Sequence, residues 1–317
     1  MSLKEGWKYE QMPSTDQQKR LSFLASLMPL VMRLRGSKKV FASEAATLAR
    51  RAQQQLRPES FSPPKSLDKV AVVTVSTENG WPVYTLTPHG SLSPKRAIFS
   101  HGGSWINEIS PFHWRFLADL MKATGAQFIV PIYPLAPAGT AASVIPAIAD
   151  LAAQAVAEVG AANVMLIGDS AGGTISLSVA MVLRDRGVPA PANIVLIAPA
   201  LDLTFTDPRI AEIEPHDPWL ATPGNRAAAR LWSGSLPVSD PLVSPLNGEL
   251  AGLGAITLFS GTRDIIHPDS LSLVTKAQGV GHALDYHERA GLLHNYPILP
   301  IPEAKQARDT IKTLLEH

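Results

Sequence analysis

The sequence predicts an α/β fold in which a mostly parallel sheet is covered by helices on both faces. Two observations carry this. Short, continuous apolar runs recur at 97–100, 127–132, 164–167, 194–198, 256–259 and 283–287, each separated from the next by at least a helix-length segment. Strands that are apolar on both sides need cover on both sides, and intervening helices supply it. Ahead of them, residues 70–75 and 82–86 flank Glu78-Asn79-Gly80, a strand–turn–strand pattern that adds an antiparallel edge.

Taken in order, residues 16–35 and 42–56 read as two helices, with Ser43 capping the second. Leu21, Leu24, Leu27 and Met28 in the first, and Leu48 with Ala45, Ala49 and Ala52 in the second, form the apolar faces expected to pack. Pro58, Pro63 and Pro64 mark a linker into the hairpin. The spacing then predicts helices over 114–124, 142–159, 171–186, 269–278 and 303–316. One segment breaks the rhythm. Residues 203–248 carry prolines at 208, 215, 218, 223, 237, 241 and 245, together with Trp219 and Trp232, and no strand pattern. A long excursion between two core strands is characteristically functional, and a lid is its usual form.

Composition narrows the function classes. The chain has 317 residues, 45% of them hydrophobic and 17% charged, which is a globular composition and excludes a disordered chain. Twenty-eight basic side chains against 27 acidic ones leave a net charge of +1, without the basic excess of a nucleic-acid binder. The cluster at 33–39 reads as a solvated helix end. The absence of cysteine excludes disulfides, thiolate metal sites and cysteine nucleophiles, and fits a cytoplasmic location. Residues 21–32 have the length of a signal-peptide core, but Arg33 and Arg35 follow in place of a cleavage site. The run is also shorter than the roughly 20 residues a membrane span needs. It reads as a helix packed on the protein, with no stable membrane insertion.

The chemistry is concentrated at Gly168-Asp169-Ser170-Ala171-Gly172, a G-x-S-x-G elbow between an apolar strand and a helical pattern. The turn must be sharp, so glycines flank it and the serine hydroxyl sits exposed at its apex. The first N–H groups of the following helix point at any oxyanion formed there. Upstream, His101-Gly102-Gly103-Ser104-Trp105 follows an earlier core strand, where glycines let backbone N–H groups approach a ligand.

His101-Gly-Gly-Ser-Trp105, Tyr133-Pro-Leu-Ala-Pro137 and Gly168-Asp-Ser-Ala-Gly-Gly173 together resemble the α/β-hydrolase fold, in its hormone-sensitive-lipase-like (bacterial type IV) esterase branch. The resemblance covers roughly residues 70–317. It implies an eight-stranded sheet, with a cap built from residues 1–60 and the 203–248 insertion over a catalytic domain of 61–202 and 249–317. Two departures stand out: Ser104 replaces the third glycine of the HGGG loop, and Ala138-Gly139 replaces the Glu-His that often follows the Tyr-x-Leu-Ala-Pro loop. The implied oxyanion donors are backbone N–H groups, so Ser104→Ala is expected to be nearly neutral.

Chain order in this fold is serine, acid, histidine. The resemblance therefore implies a triad of Ser170, Asp264 and His294, with Gly102, Gly103, Ser104 and Ala171 forming the oxyanion hole. Asp264 follows the seventh strand run. Asp269 reads instead as a helix cap or surface charge, and Asp202, after the sixth strand, as structural. Among the late histidines, His282 precedes the last strand and His287 falls within it or at its end. His294 lies in a loop after it. His101 is expected to shape its own loop, and His267 has no third ligand that would suggest a metal. The expected function is hydrolysis of short-to-medium acyl esters or lactones, with no cofactor. An amidase or acyltransferase on the same triad is the enzymatic alternative, and a non-catalytic hydrolase-like receptor the other. Residues 1–60 have a bland alternative as a peripheral extension or homodimer arm.

Overall fold

A computed structural model describes residues 21–56 and 60–317. The expected first turn of the first helix (16–20) and Pro58 of the linker lie outside the described residues. Three helices open the described residues: α1 (Phe23–Leu34), α2 (Ser37–Phe41) and α3 (Glu44–Leu56). The hairpin β1 (Ala71–Glu78) and β2 (Trp81–Pro88) follows, then β3 (Arg96–Ser100), α4 (Pro111–Thr124), β4 (Gln127–Pro131) and α5 (Ala141–Val159). Next come β5 (Val164–Asp169), α6 (Ala171–Asp185) and β6 (Asn193–Ile197). The insertion holds α7 (Arg209–Ile213) and α8 (Thr222–Ser233). The chain closes with β7 (Ala255–Arg263), α9 (His267–Val280), β8 (Leu284–Leu293) and α10 (Ala304–Glu316).

The eight strands of the described residues form one sheet in the order β1-β2-β4-β3-β5-β6-β7-β8. β2 runs antiparallel to both its neighbours and the remaining pairs are parallel, so the sheet is mixed. The hairpin closes on Asn79 and Gly80, with φ of 51° and 83°, and Glu78 faces Trp81. Two positive φ values are what a two-residue turn of the right twist demands, hence Asn-Gly.

Alternate residues of each central strand enter opposite cores. Leu166, Ile194, Leu196 and Leu258 join a core with α5, α6, α8 and α9. Met165, Ile167, Val195, Ile197 and Phe259 join another with α4 and α10. That division is the physical reason for the continuous apolar runs. Among the described residues, α5 is the one helix long and apolar enough to cross a membrane. Here its Val144, Ile145, Ile148 and Ala152 are buried in the first core, against α6 and the sheet.

The structure departs from the sequence expectation in two places. β8 runs on to Leu293, past Gly291, because its pairing with β7 resumes at Arg263–Leu293 after a register shift. The N-terminal helices also present different faces. The first breaks at Gly36, whose φ of 67° starts α2. Ser43 does cap α3, accepting a hydrogen bond from the Ala46 N–H at 3.1 Å. Leu21 and Met28 pack against the second core, but Leu24, Leu27, Leu48, Ala45, Ala49 and Ala52 are exposed. α3 is held by polar contacts instead. Arg51 Nε donates to Ala136 O at 2.6 Å, Gln54 Nε2 to Asn107 Oδ1 at 2.9 Å, and Thr47 Oγ1 to Val40 O at 2.7 Å. α3 also lies close against α8, where a Cβ on Gly224 would meet Thr47 Oγ1 at 2.3 Å. In the 33–39 cluster, Lys38 is committed to the carbonyls of Glu214 and Asp217 rather than solvated.

Candidate active site

Ser170 stands between β5 and α6 with φ 54° and ψ −120°, a conformation an L-residue adopts only under constraint. The constraint is close packing of helix on strand. A Cβ on Gly172 would lie 1.9 Å from Ser100 O, so no larger residue fits there. The carbonyl of Ser170 accepts from the N–H of Gly173 and of Thr174, and Ala171 occupies the first position of the helix. Its N–H therefore belongs to the unpaired first turn.

Asp264 follows β7 directly and is fully buried. Its Oδ1 accepts from the Ile266 N–H at 3.1 Å, and its Oδ2 lies 2.7 Å from Nδ1 of His294. Burial alone would lower the His294 pKa. The charge and hydrogen bond of Asp264 outweigh it, helped by the charges of Asp217 and Asp169, and the net shift is upward. With Nδ1 committed to the carboxylate, Nε2 is the nitrogen left for chemistry. Trp219, from the insertion, stands edge-on to this imidazole at 5.5 Å. Ser170 and His294 line one cavity of about 460 Å³, shared with Gly102, Gly103 and Ser104. The structure brings Asp264 and His294 into direct contact, and Ser170 and His294 into a common cavity without a direct hydrogen bond.

In the loop after β3, Gly103 has a φ of 127°, a region closed to other residues. Ser104 follows with φ 52°, and its hydroxyl donates to Asn225 Oδ1 on α8 at 3.0 Å. Asn225 Nδ2 donates to Ala221 O at 3.0 Å, which fixes the orientation of the amide. Beside the backbone role expected of Ser104, its side chain ties this loop to the insertion. Gly102 differs from its neighbours, because its N–H is already bonded to Asp169 Oδ1 at 2.9 Å.

Asp169 is a centre that sequence reasoning missed. The same fully buried carboxylate accepts from Asn295 Nδ2 at 2.6 Å and lies 3.2 Å from His113 Nε2. Burial would raise its pKa, but His113, by charge and hydrogen bond, and the Gly102 N–H pull it down overall. It thus joins the β3 loop, α4 and the residue after His294. Asp217 was missed as well. Its Oδ1 accepts from the N–H groups of Trp219 and Leu220 and its Oδ2 from that of Ile265 at 3.0 Å, so it fixes the insertion to the Asp264 loop. Burial first, then the charge of Asp264, raises its pKa to about 6.

The remaining candidates fall outside this arrangement. His101 lies 2.7 Å from Gly102 O through Nδ1 and stacks on Tyr133, and burial with the nearby His113 lowers its pKa to about 4, so it is neutral. His282 contacts Gly254 O, and His287 stacks on Phe259 within β8. His267 is paired with Ser260 Oγ, and Asp202 accepts from the Thr204 N–H and hydroxyl. Asp269 is no surface charge. It is buried in α9, its Oδ2 accepts from the N–H groups of Leu201 and Asp202, and burial raises its pKa to about 8.

Comparison with known proteins shows the family. The family model of the α/β-hydrolase fold matches residues 97–298. A triacylglycerol lipase of Mycobacterium tuberculosis is 33% identical over 241 residues, 75% of this chain and 50% of that protein, so this chain spans half the length of that relative. An esterase of Acinetobacter venetianus is 29% identical over 211 residues, covering 65% of this chain and 70% of that one. Among solved structures, a candidate esterase from Staphylococcus aureus superposes with a TM-score of 0.81 at 27% identity, over 89% of this chain and 96% of the other. An esterase of the bacterial hormone-sensitive lipase family shares the fold at a TM-score of 0.77 and 22% identity, over 94% and 99% of the two chains. On the extent of these matches, the chain belongs to the α/β-hydrolase-fold family.

Proposed function

We propose that the protein is a serine carboxylic ester hydrolase of the hormone-sensitive-lipase-like branch, acting on short-to-medium acyl esters or lactones. The observation that carries this reading is the buried 2.7 Å contact between Asp264 and His294, facing a cavity that also holds the hydroxyl of a strained elbow serine. In this reading Ser170 Oγ attacks the ester carbonyl and His294 Nε2 takes its proton, while Asp264 holds the imidazole in the required tautomer. The N–H groups of Gly103, Ser104 and Ala171 stabilise the oxyanion, and Gly102 acts on loop shape because Asp169 occupies its N–H. Collapse of the tetrahedral intermediate breaks the ester C–O bond, and His294 gives its proton to the leaving alcohol. Water then attacks the acyl-serine by the same route, releasing the acid and restoring the hydroxyl.

The same reading makes residues 1–60 and 203–248 a cap over a catalytic domain of 61–202 and 249–317. What supports it is the packing of α3 on α8, the Trp219 edge against His294 and the Ser104–Asn225 hydrogen bond. Val40 and Phe41 from the first segment, and Trp219 and Leu220 from the second, line the cavity beside Ile298 and Leu299. About 460 Å³, with these apolar side chains in part of its wall, suits a small acyl group. The test is a burst assay with a short p-nitrophenyl ester, paired with organophosphonate labelling mapped by peptide mass spectrometry. Stoichiometric label on Ser170 with loss of turnover supports the reading. Label on another residue, or full turnover after labelling, overturns it.

A further inference from the structure

Helix α1 carries large apolar side chains on its outer as well as its inner side, which is unusual for a helix at a protein surface. On its inner side Ala25 and Met32 are buried, Leu21 just ahead of it and its own Met28 pack against the second core, and Ser22 ties its start to Glu303 through two hydrogen bonds of 2.6 and 3.0 Å. Its outer side carries Phe23, Leu24, Leu27, Leu30 and Leu34, with exposures of 78, 50, 37, 51 and 79%. Phe23, Leu27, Leu30 and Leu34 follow the spacing of a single helical stripe. Among the described residues no other element exposes so many large apolar side chains. Contiguous exposed apolar surface of this kind marks an interaction site.

Charge identifies the partner. Residues 21–43 contain Arg33, Arg35, Lys38 and Lys39 and no acidic residue. Lys38 is committed to backbone carbonyls, which leaves exposed Arg33, Arg35 and Lys39 at the carboxyl end of the apolar stripe. Two copies of the chain laid stripe to stripe would find no carboxylate in this segment to receive these cations. A surface that is apolar beneath and anionic at its face receives both features together. At 12 residues α1 extends only about 18 Å, too short to span a bilayer but suited to lying in its interface. Its carboxyl end also leads to the candidate active site, since Arg35, Ser37, Val40 and Phe41 line the cavity.

We propose that α1 docks the protein reversibly on a lipid surface bearing anionic headgroups, with the stripe at the acyl boundary and the cations among the headgroups. This brings the part of the cavity wall built by Arg35, Val40 and Phe41 close to the phase in which poorly soluble esters collect. The surface is argued independently of the triad, and its test needs no turnover.

The full chain is floated with vesicles of phosphatidylcholine alone and of phosphatidylcholine with roughly one-third phosphatidylglycerol, and its lipid-free mass is followed by sedimentation velocity. The expected result is a monomer that partitions onto the anionic vesicles and is released by salt. Arg33→Ala should weaken partitioning about fivefold, the equivalent of about 1 kcal/mol per cation near an anionic surface. Phe23→Glu with Leu30→Glu should weaken it at least tenfold, with the thermal midpoint and kcat/KM on a dissolved short ester unchanged. The proposal is overturned if the anionic vesicles bind no more protein than the zwitterionic ones, or if the double variant binds as well as the parent. It is equally overturned by a lipid-free dimer that the double variant splits, since the stripe then belongs to a second copy of the chain.

Discussion

Ser104 gives the sharpest test of how the insertion and the β3 loop depend on each other. Ser104→Ala removes one neutral hydrogen bond, worth about 1 kcal/mol net. Asn225 is 4% exposed, so its Oδ1 is then left buried without a partner, which brings the expected loss to about 1–3 kcal/mol. Ser104→Gly loses the same bond but regains part of the roughly 1–2 kcal/mol that a side chain costs at φ 52°. The glycine variant should therefore be the more stable of the two. Neither should restore the rate, because the N–H at position 104 is no longer pinned by its own side chain. Loss of a whole oxyanion donor costs about 10²–10³ in kcat, and a displaced one should cost about tenfold with KM little altered. Ser104→Ala, Asn225→Leu and the pair are compared by urea unfolding and by steady-state hydrolysis of a p-nitrophenyl ester. The cycle should show a coupling of about 1 kcal/mol or more. Additive stabilities, within about 0.5 kcal/mol, together with a wild-type kcat for Ser104→Ala, refute the reasoning and leave the backbone alone as the working part.

Other predictions follow from the same contacts. Ser170→Ala and His294→Ala should each lower kcat by about 10⁴ to 10⁶, and the double variant little further, because the residues act as one unit; titration with the same ester substrate measures it. kcat/KM should rise with pH on a single group whose midpoint lies above the ordinary histidine value, because Asp264 lifts the His294 pKa and only the neutral imidazole accepts a proton. A midpoint at or below about 6.5 contradicts that assignment. Asp269, raised to about 8 by burial, is protonated in the fold at neutral pH. Its contribution to stability is complete below the unfolded carboxyl value of about 3.9 and is lost as pH rises from there through about 8. Asp269→Asn keeps an uncharged acceptor for Leu201 and Asp202, so its advantage over wild type in urea unfolding should grow across that window, and a constant difference between the two would reject a neutral Asp269.

What the sequence revealed, and what it hid, divides along physical lines. The two-sided strands were legible because Val195 and Leu196 both need apolar surroundings, on opposite faces. Asn79-Gly80 was legible because few other pairs accept two positive φ values. The seat of α3 was not, since it rests on Thr47, Arg51 and Gln54, whose hydrogen bonds leave no hydrophobic period. Leu24 and Leu27 misled for the converse reason: an apolar stripe says that a face seeks a partner, not that the partner is in the same chain. The Asp169 carboxylate reaches Gly102, His113 and Asn295, which are 67, 56 and 126 residues away. Asp217 meets Ile265 across 48. A single sequence carries no local sign of such pairings, whereas the elbow itself is local and therefore visible.

Asp169 has a consequence for how the site comes into being. Its carboxylate is the common terminus of three chain segments, which meet one another at its two oxygens. Order in the β3 loop, in the start of α4 and in the turn after His294 is therefore gained or lost together. A chain caught part-way through folding would hold no fraction of a working site, since the last segment to arrive completes the coordination of the first two. The same interdependence limits recombination between relatives: a loop exchanged at 101–107 brings a geometry set by someone else's acid, and it fits only if the partners of Asp169 travel with it.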